Sequence, residues 1–589
     1  MRPRFALRWA LLLLVASCAP PAARGSAPQP PSQTSSTEPR EQTADQQVQQ
    51  VLNRLGFGAR PGDVARVRET GIDRWIALQL APERIDDRVA DAVIASYEGL
   101  RVPTSDLVAV YIQGQQALRR AQRQAAQRGD SSGRRDLRAE ALRADTVLRE
   151  RLRQSGRSMA DVQSARLARA VVSERQLQEV MTDFWSNHFT VFAGKGITRL
   201  FIPAYERDVI RPRALGSFRD LLGAVAKSPA MLFYLDQWQS AADSLHPTLA
   251  GVRRPAQRRR GLNENYAREL LELHTLGADA GYGQQDVIEV ARALTGWTMN
   301  PRTDAVFTFR PEIHDAASKQ VLGHTLAAGR GIEDGEQVLD ILAGDPRTAR
   351  FIARKLAVRF VSDEPPAALV ERATRRFVET EGDIREVVRT IVTSPEFFSR
   401  GAYRTKVKSP FELVASALRA VGAQADTSPR SAQVVAFLGQ PIYGHQAPNG
   451  WPETGESWMN TGAILNRINF GLALAAGRLP NAGVAQWPES ERLRTAPRDE
   501  QVDAVIGAFL GGHASPDTRQ VLIAGENPLL AKLGGADSTA ATGPMREMRP
   551  ARNGQPRAAM LRGLTQPVQL AGLAQVIGLA IGAPEFQRR

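Results

Sequence analysis

The chain has 589 residues, 43% hydrophobic and 23% charged, which excludes a peptide, a single small module or a disulfide-stapled miniprotein and leaves room for a large core. Its 76 basic residues outnumber 62 acidic ones for a net charge of +14, and only seven of the bases are Lys, leaving 69 Arg. Guanidinium groups bind phosphates and carboxylates bidentately, so anionic lipid headgroups and anionic glycans are candidate partners. Half of the excess lies between Arg119 and Arg157, twelve Arg against five acids. That segment reads as a solvated insertion of about residues 115–158, so nucleic acid is not an expected partner.

In chain order, Arg2, Arg4 and Arg8 precede the apolar run Trp9 to Ala16, and Val15-Ala16-Ser17-Cys18 follows the pattern of a lipobox. Eight apolar residues are too few to span a bilayer, so residues 1–18 are expected to be a lipoprotein signal peptide. Cys18, the sole cysteine, is the expected lipidation site and would hold the exported protein on a membrane through its acyl chains. Ala19 is not Asp, which directs the expectation to the outer membrane of a host that has one. Residues 19–46, rich in Pro, Ser, Gln and Ala, are predicted to be a disordered tether.

Residues 47–589 are predicted to form a single large helical domain, because apolar residues recur at i, i+3, i+4 and i+7 along most of it. Val48, Val51, Leu52 and Leu55 set one stripe; Ile72, Trp75, Ile76 and Leu80 set another. Further stripes run through Phe218 to Val225, Val287 to Leu294 and Ile384 to Ile391. Period two appears only where Phe307 and Phe309 alternate with Thr308 and Arg310; Val321-Leu322 before Gly323 is the predicted partner of a small hairpin near 305–323. Ser228-Pro229, Ser394-Pro395 and Ala583-Pro584 read as helix-to-helix punctuation. Loops are expected at about 240–260 and 524–562. The fold class is therefore mainly α.

Four blocks stand out: Phe184-Trp185-Ser186-Asn187-His188-Phe189; Asn263 through Gly277; Asp286-Val287 with Ala291-Arg292-Ala293-Leu294-Thr295-Gly296-Trp297; and His314-Asp315 with Lys319. Together they resemble the signature of a bacterial exported family catalogued as domain of unknown function 1800, over nearly the whole mature chain. Gly283, where the family pattern suggests Thr, and the Gly450-Trp451 pair are departures from it. The resemblance implies an exported sulfatase-like partner protein, since members are often encoded beside such a family.

On a helix at ~100° per residue, Asn265, Arg268, Glu269 and Glu272 share one polar face and His274 falls opposite, among core positions. Glu269 and Glu272 are candidate catalytic carboxylates, with Asn265 and Arg268 as ligand contacts; Glu264-Arg268 and Arg268-Glu272 are equally suited to i, i+4 pairing. His188 lies on an apolar stripe beside Asn187, so it is either a core histidine or, with Asn187, part of a pocket. His314, Asp315 and Lys319 follow the predicted strand, where loop side chains converge on ligands or simply stabilise a turn. Trp297 and Trp451 are candidate ligand-binding aromatics; Trp451 and Trp458 suit stacking on a sugar or peptide, or packing as a plug.

There is no H-E-x-x-H, P-loop or cysteine metal cluster, and Gly129-Asp130-Ser131-Ser132-Gly133 matches a nucleophile elbow without the strand that one requires. Neither a metal nor a cofactor is specified by the sequence. Two function classes follow: a lipid-anchored binding or scaffold protein of the cell envelope, and a hydrolytic enzyme, with or without a metal, built from carboxylates and histidines on separate helices.

Overall fold

Side-chain caps and prolines set most helix boundaries. Thr43 and Gln46 form a reciprocal capping box at the start of the Ala44–Arg54 helix, and Ser409 and Glu412 do the same for Pro410–Ala420. Ser228 caps Pro229–Tyr234 with Pro at its first position, and Pro584 opens Pro584–Gln587 after Ala583, so these two pairs separate helices, whereas Ser394-Pro395 follows the Ile384–Val392 helix and leads into turns. The predicted stripes become the buried faces of Ala44–Arg54, Ile72–Gln79, Phe218–Ala226, Gln284–Ala293 and Ile384–Val392. They meet in one continuous apolar cluster that also takes in Trp185, Tyr205, Tyr266 and Trp297. The computed structural model describes residues 40–128, 145–243, 246–249, 261–301, 305–526 and 568–589, with isolated positions between 133 and 143. Residues 40–589 make one compact unit, mainly α. Among the described residues no helix is long and apolar enough to cross a membrane. Cys18 and most of the two expected loops lie outside the described residues.

One boundary differs from expectation. The segment assigned to the tether is engaged from residue 40 onward: Gln42 is buried and its amide donates to the Ser399 carbonyl at 2.9 Å, and the first helix opens at Ala44. The described part of the Arg-rich insertion is helical. It is the distal half of two long helices, Thr104–Gln127 and Thr146–Val172, whose other halves bury Leu107, Val108, Val162, Leu167 and Val171 in the main core. Leu118, Ala121, Ala125 and Leu137 form their own small cluster beyond it.

The strands also pair differently. β1 (Trp297–Met299) pairs antiparallel with β2 (Phe307–Phe309), while β3 (Lys319–Val321) pairs with β4 (His324–Leu326). Phe307–Phe309 and Val321 therefore belong to two hairpins instead of one. The tight turn at Leu322-Gly323, both with positive φ, hands Val321 to the strand that follows it.

Candidate binding cleft

The Gln176–His188 helix ends where the Tyr443–Trp458 segment crosses it, and the approach depends on one glycine. Gly450 has φ +72°, and a Cβ there would sit 2.4 Å from the Asn187 carbonyl oxygen. With the backbone this close, Asn187 closes a two-way bridge: its Nδ2 donates to the Trp451 carbonyl at 2.8 Å, and the Trp451 N–H donates to its Oδ1 at 2.7 Å. Trp451 remains half-buried, its ring 4.6 Å from His445 and 5.9 Å from Trp458 between centroids. The result is a cleft lined by Phe184, Asn187, His188, Lys355, His445 and the Asn449–Glu453 stretch.

Lys355 reaches this cleft from the Pro346–Phe360 helix. Its Nζ donates to His188 Nδ1 at 2.9 Å, and its Nζ stands 5.4 Å from the Phe351 ring centroid. His188 Nε2 lies 3.2 Å from the His274 carbonyl oxygen, which can only accept, so Nε2 carries the proton and Nδ1 is the acceptor for Lys355. Accepting from Lys355 at Nδ1 while donating at Nε2 requires a neutral imidazole. Burial first, and then the Lys355 charge, hold His188 well below the usual histidine range; the same two causes bring His274 down to about 3. Lys355 itself is lowered to about 8 by burial, with Glu453 opposing. Among the described residues no carboxylate forms an ion pair with it.

Behind the cleft, and sharing Asn187, Trp451, Pro452 and Glu453 with it, is a second hollow lined by buried charges. Arg166 pairs with Asp183 at 2.7 Å and Arg359 bridges Asp183, Glu412 and Glu453 at 3.1 to 3.3 Å. Arg589 joins Glu412 at 3.1 Å, and Tyr443 donates to Glu206 at 2.7 Å. Arg54 is fully buried in the same region, donating to the Ala402 carbonyl at 2.6 Å with Nε and Nη1 unpartnered among the described residues. The network fixes the floor of the cleft through Glu453, whose carboxylate is held by Arg359 and approached by Asn187 at 3.5 Å.

Of the residues singled out from sequence, His188, Asn187 and Trp451 thus meet in one cleft. The others lie in two other places. The helix from Glu264 turns into a π-helix over Leu270–Thr275, whose wider turn buries His274 against the Phe189 ring at 5.2 Å. Glu269 and Glu272 stay on its outer side, where burial and then the neighbouring Glu272 raise the Glu269 carboxyl above the usual range. The expected i, i+4 pairs are not direct: Arg268 and Glu264 both bind the Gln284 side-chain amide, at 2.7 and 2.6 Å, and Asn265 is exposed.

His314, Asp315 and Lys319 are buried in a polar knot. Arg292 grips Asp315 at 2.7 and 3.2 Å, Lys319 bonds Asp334 at 2.8 Å, and His314 Nδ1 bonds the Thr295 carbonyl at 2.6 Å. Trp297 is fully buried beside it, 5.3 Å from Phe307. None of the clefts described here joins this knot, or Glu269 and Glu272, to His188. Among the described residues no three His, Cys, Asp or Glu side chains are grouped to hold a metal ion.

Lys355, Arg359, Glu412 and Glu453 were not singled out from sequence. One signal for Lys355 was present. In a chain that uses Arg for nearly every cation, each of the seven Lys stood out, and Lys319, Lys406 and Lys408 are almost fully buried and Lys355 half so.

Residues 50–588 match the family model described as Protein of unknown function (DUF1800). No curated protein and no solved structure matches the chain.

Proposed function

We propose that this chain, which belongs to the DUF1800 family over residues 50–588, is an exported, lipid-anchored cell-envelope protein that binds an anionic glycan in the Trp451 cleft. One observation carries the ligand class: a half-buried Trp451 face and a Lys355 ammonium without a carboxylate partner line the same cleft. A pyranose stacks its apolar face on an indole, and a uronate or sulfate group would supply the missing counter-charge to Lys355. Anchoring is attributed to acylation of Cys18, which supports an envelope location, and an exported sulfatase-like protein is the proposed partner.

Binding is favoured over hydrolysis by the state of the polar groups in the cleft. His188 already uses both ring nitrogens, and Glu453 is neutralised by Arg359, so neither is free to move a substrate proton. Titration calorimetry with uronate oligosaccharides against neutral ones of equal length tests the proposal. Binding of the acidic series alone, lost in Trp451→Ala, is expected; equal binding of both series, or of neither, overturns the ligand class. Cys18→Ser should abolish lipid labelling, and labelling that persists would refute the anchor.

A further inference from the structure

We propose that Lys355 is also a covalent site, an amine that forms a Schiff base with an aldehyde or ketone entering the Trp451 cleft. The inference uses the same cleft as the glycan reading but does not depend on it.

The argument starts from what each lysine touches. Lys195, Lys227, Lys319 and Lys406 are all ion-paired, to Asp236, Glu336, Asp334 and Asp363. Each carboxylate stabilises the protonated, unreactive form. Lys408 lacks a carboxylate partner, but it is 4% exposed and its Nζ is held by Ser416 Oγ at 2.8 Å and lies 4.2 Å from the centre of the Phe586 ring. Lys355 alone among the described lysines combines access to a cleft with the lack of a paired anion.

Its hydrogen-bond partner adds to this. A neutral imidazole accepts one N–H of Lys355 and fixes the direction of Nζ, yet contributes no negative charge to hold the proton. His188 cannot switch to a donor at Nδ1 without giving up the Nε2 bond to the His274 carbonyl. Burial of the stem on the 346–360 helix works in the same direction, so the free amine is populated near neutral pH.

The chemistry is balanced within the cleft. The ammonium first gives one proton to water, and the amine lone pair attacks the carbonyl carbon as the C=O π bond opens. The oxygen takes up a proton to give a carbinolamine. Loss of that oxygen as water, with formation of C=N, leaves a protonated imine: one ammonium and one carbonyl become one iminium and one water. No oxidant, reductant or metal is consumed. Throughout, His188 Nδ1 can accept the remaining N–H and so hold the nitrogen in place; it is a positioning residue, whereas Lys355 is the reacting group.

The test is reductive trapping on the full mature chain with glyoxylate and cyanoborohydride, read by peptide mass mapping. A fall from 10.5 to about 8 raises the free-amine fraction at neutral pH about 300-fold. Lys355 is therefore expected to label at least about tenfold faster than the exposed, ion-paired Lys195 at pH 7, with a rate that levels off above a midpoint near 8. The wild-type pH profile needs no variant, so a folding defect cannot obscure it. Lys355→Arg keeps the charge and should remove the fast site, whereas failure of the wild type to bind uronate oligosaccharides would leave the expected label unchanged. Labelling of Lys355 no faster than Lys195, or a rate still rising above pH 10, overturns the proposal; loss of glycan binding with the label intact leaves it standing.

Discussion

Replacing Glu412 by Gln probes the buried network that floors the cleft. The Glu412 carboxylate sits between two guanidinium groups, 3.1 Å from Arg359 and 3.1 Å from Arg589, and is itself buried. Burial alone would raise its pKa, but Arg589, Arg359 and the Ser409 N–H outweigh it and bring the group from 4.5 down to about 2. Gln at this position can still complete the capping box with Ser409, so the substitution removes charge and little else. A fall from 4.5 to about 2 corresponds to about 3 kcal/mol of stability at pH 7, in line with the ~3–5 kcal/mol lost when one partner of a buried pair is removed. Arg359 and Arg589, left facing each other without the bridging anion, add to the loss. Because the folded pKa is depressed, this stabilisation is present above pH ~4.5 and disappears as pH falls towards 2. Urea unfolding followed by circular dichroism at pH 7 should therefore show Glu412→Gln less stable by about 3 kcal/mol, and the gap should close on acidification through that window. Equal midpoints at pH 7, or a gap that does not change between pH 5 and pH 2.5, would refute the reasoning.

Three further outcomes are expected. His274 is buried neutral, with Nε2 unpartnered among the described residues and a pKa of about 3, so the unfolded chain takes its proton first as pH falls below ~6.5; His274→Leu should gain on wild type by up to ~1.4 kcal/mol per pH unit from there down towards pH 3, and parallel pH–stability curves would contradict this. Gly450→Ala forces a Cβ to 2.4 Å from the Asn187 carbonyl at φ +72°, which should cost ~1–3 kcal/mol, displace Trp451 and change its fluorescence; an unaltered emission spectrum would count against the close approach. Replacing residues 119–151 by a short Gly-Ser turn should leave the main unfolding midpoint within about a degree or two, since the Leu118–Leu137 cluster is separate from the main core and Gly114 already faces Leu152 across the two helices; a lower midpoint would show that the distal halves support the core.

The helices were legible in the sequence because their signals are local. The Val48–Leu55 and Ile384–Ile391 stripes, the Ser-Pro caps and the overall α class each depend on residues within a few turns of one another. His188 with Asn187 was legible as a pair able to line a pocket and Trp451 as a candidate ligand contact, but not their meeting. What joins them is a long-range approach, Gly450 against the end of the 176–188 helix, which no periodicity encodes. The pairing of β1 with β2 was decided likewise, by the tight turn at Leu322-Gly323 that claims Val321 for a different partner. The π-helix at Leu270–Thr275 shifts the helical phase partway along a stretch that a 100° wheel treats as uniform, and places the His274 carbonyl against His188. The charge network is the extreme case: Arg166, Asp183, Arg359, Glu412, Glu453 and Arg589 lie on separate segments, and each alone reads as an ordinary surface residue of an Arg-rich chain. In this network each buried charge is offset by an opposite charge from another segment, so the identity of these residues was written in the sequence, while their role was decided by the packing that brings the opposite charges together.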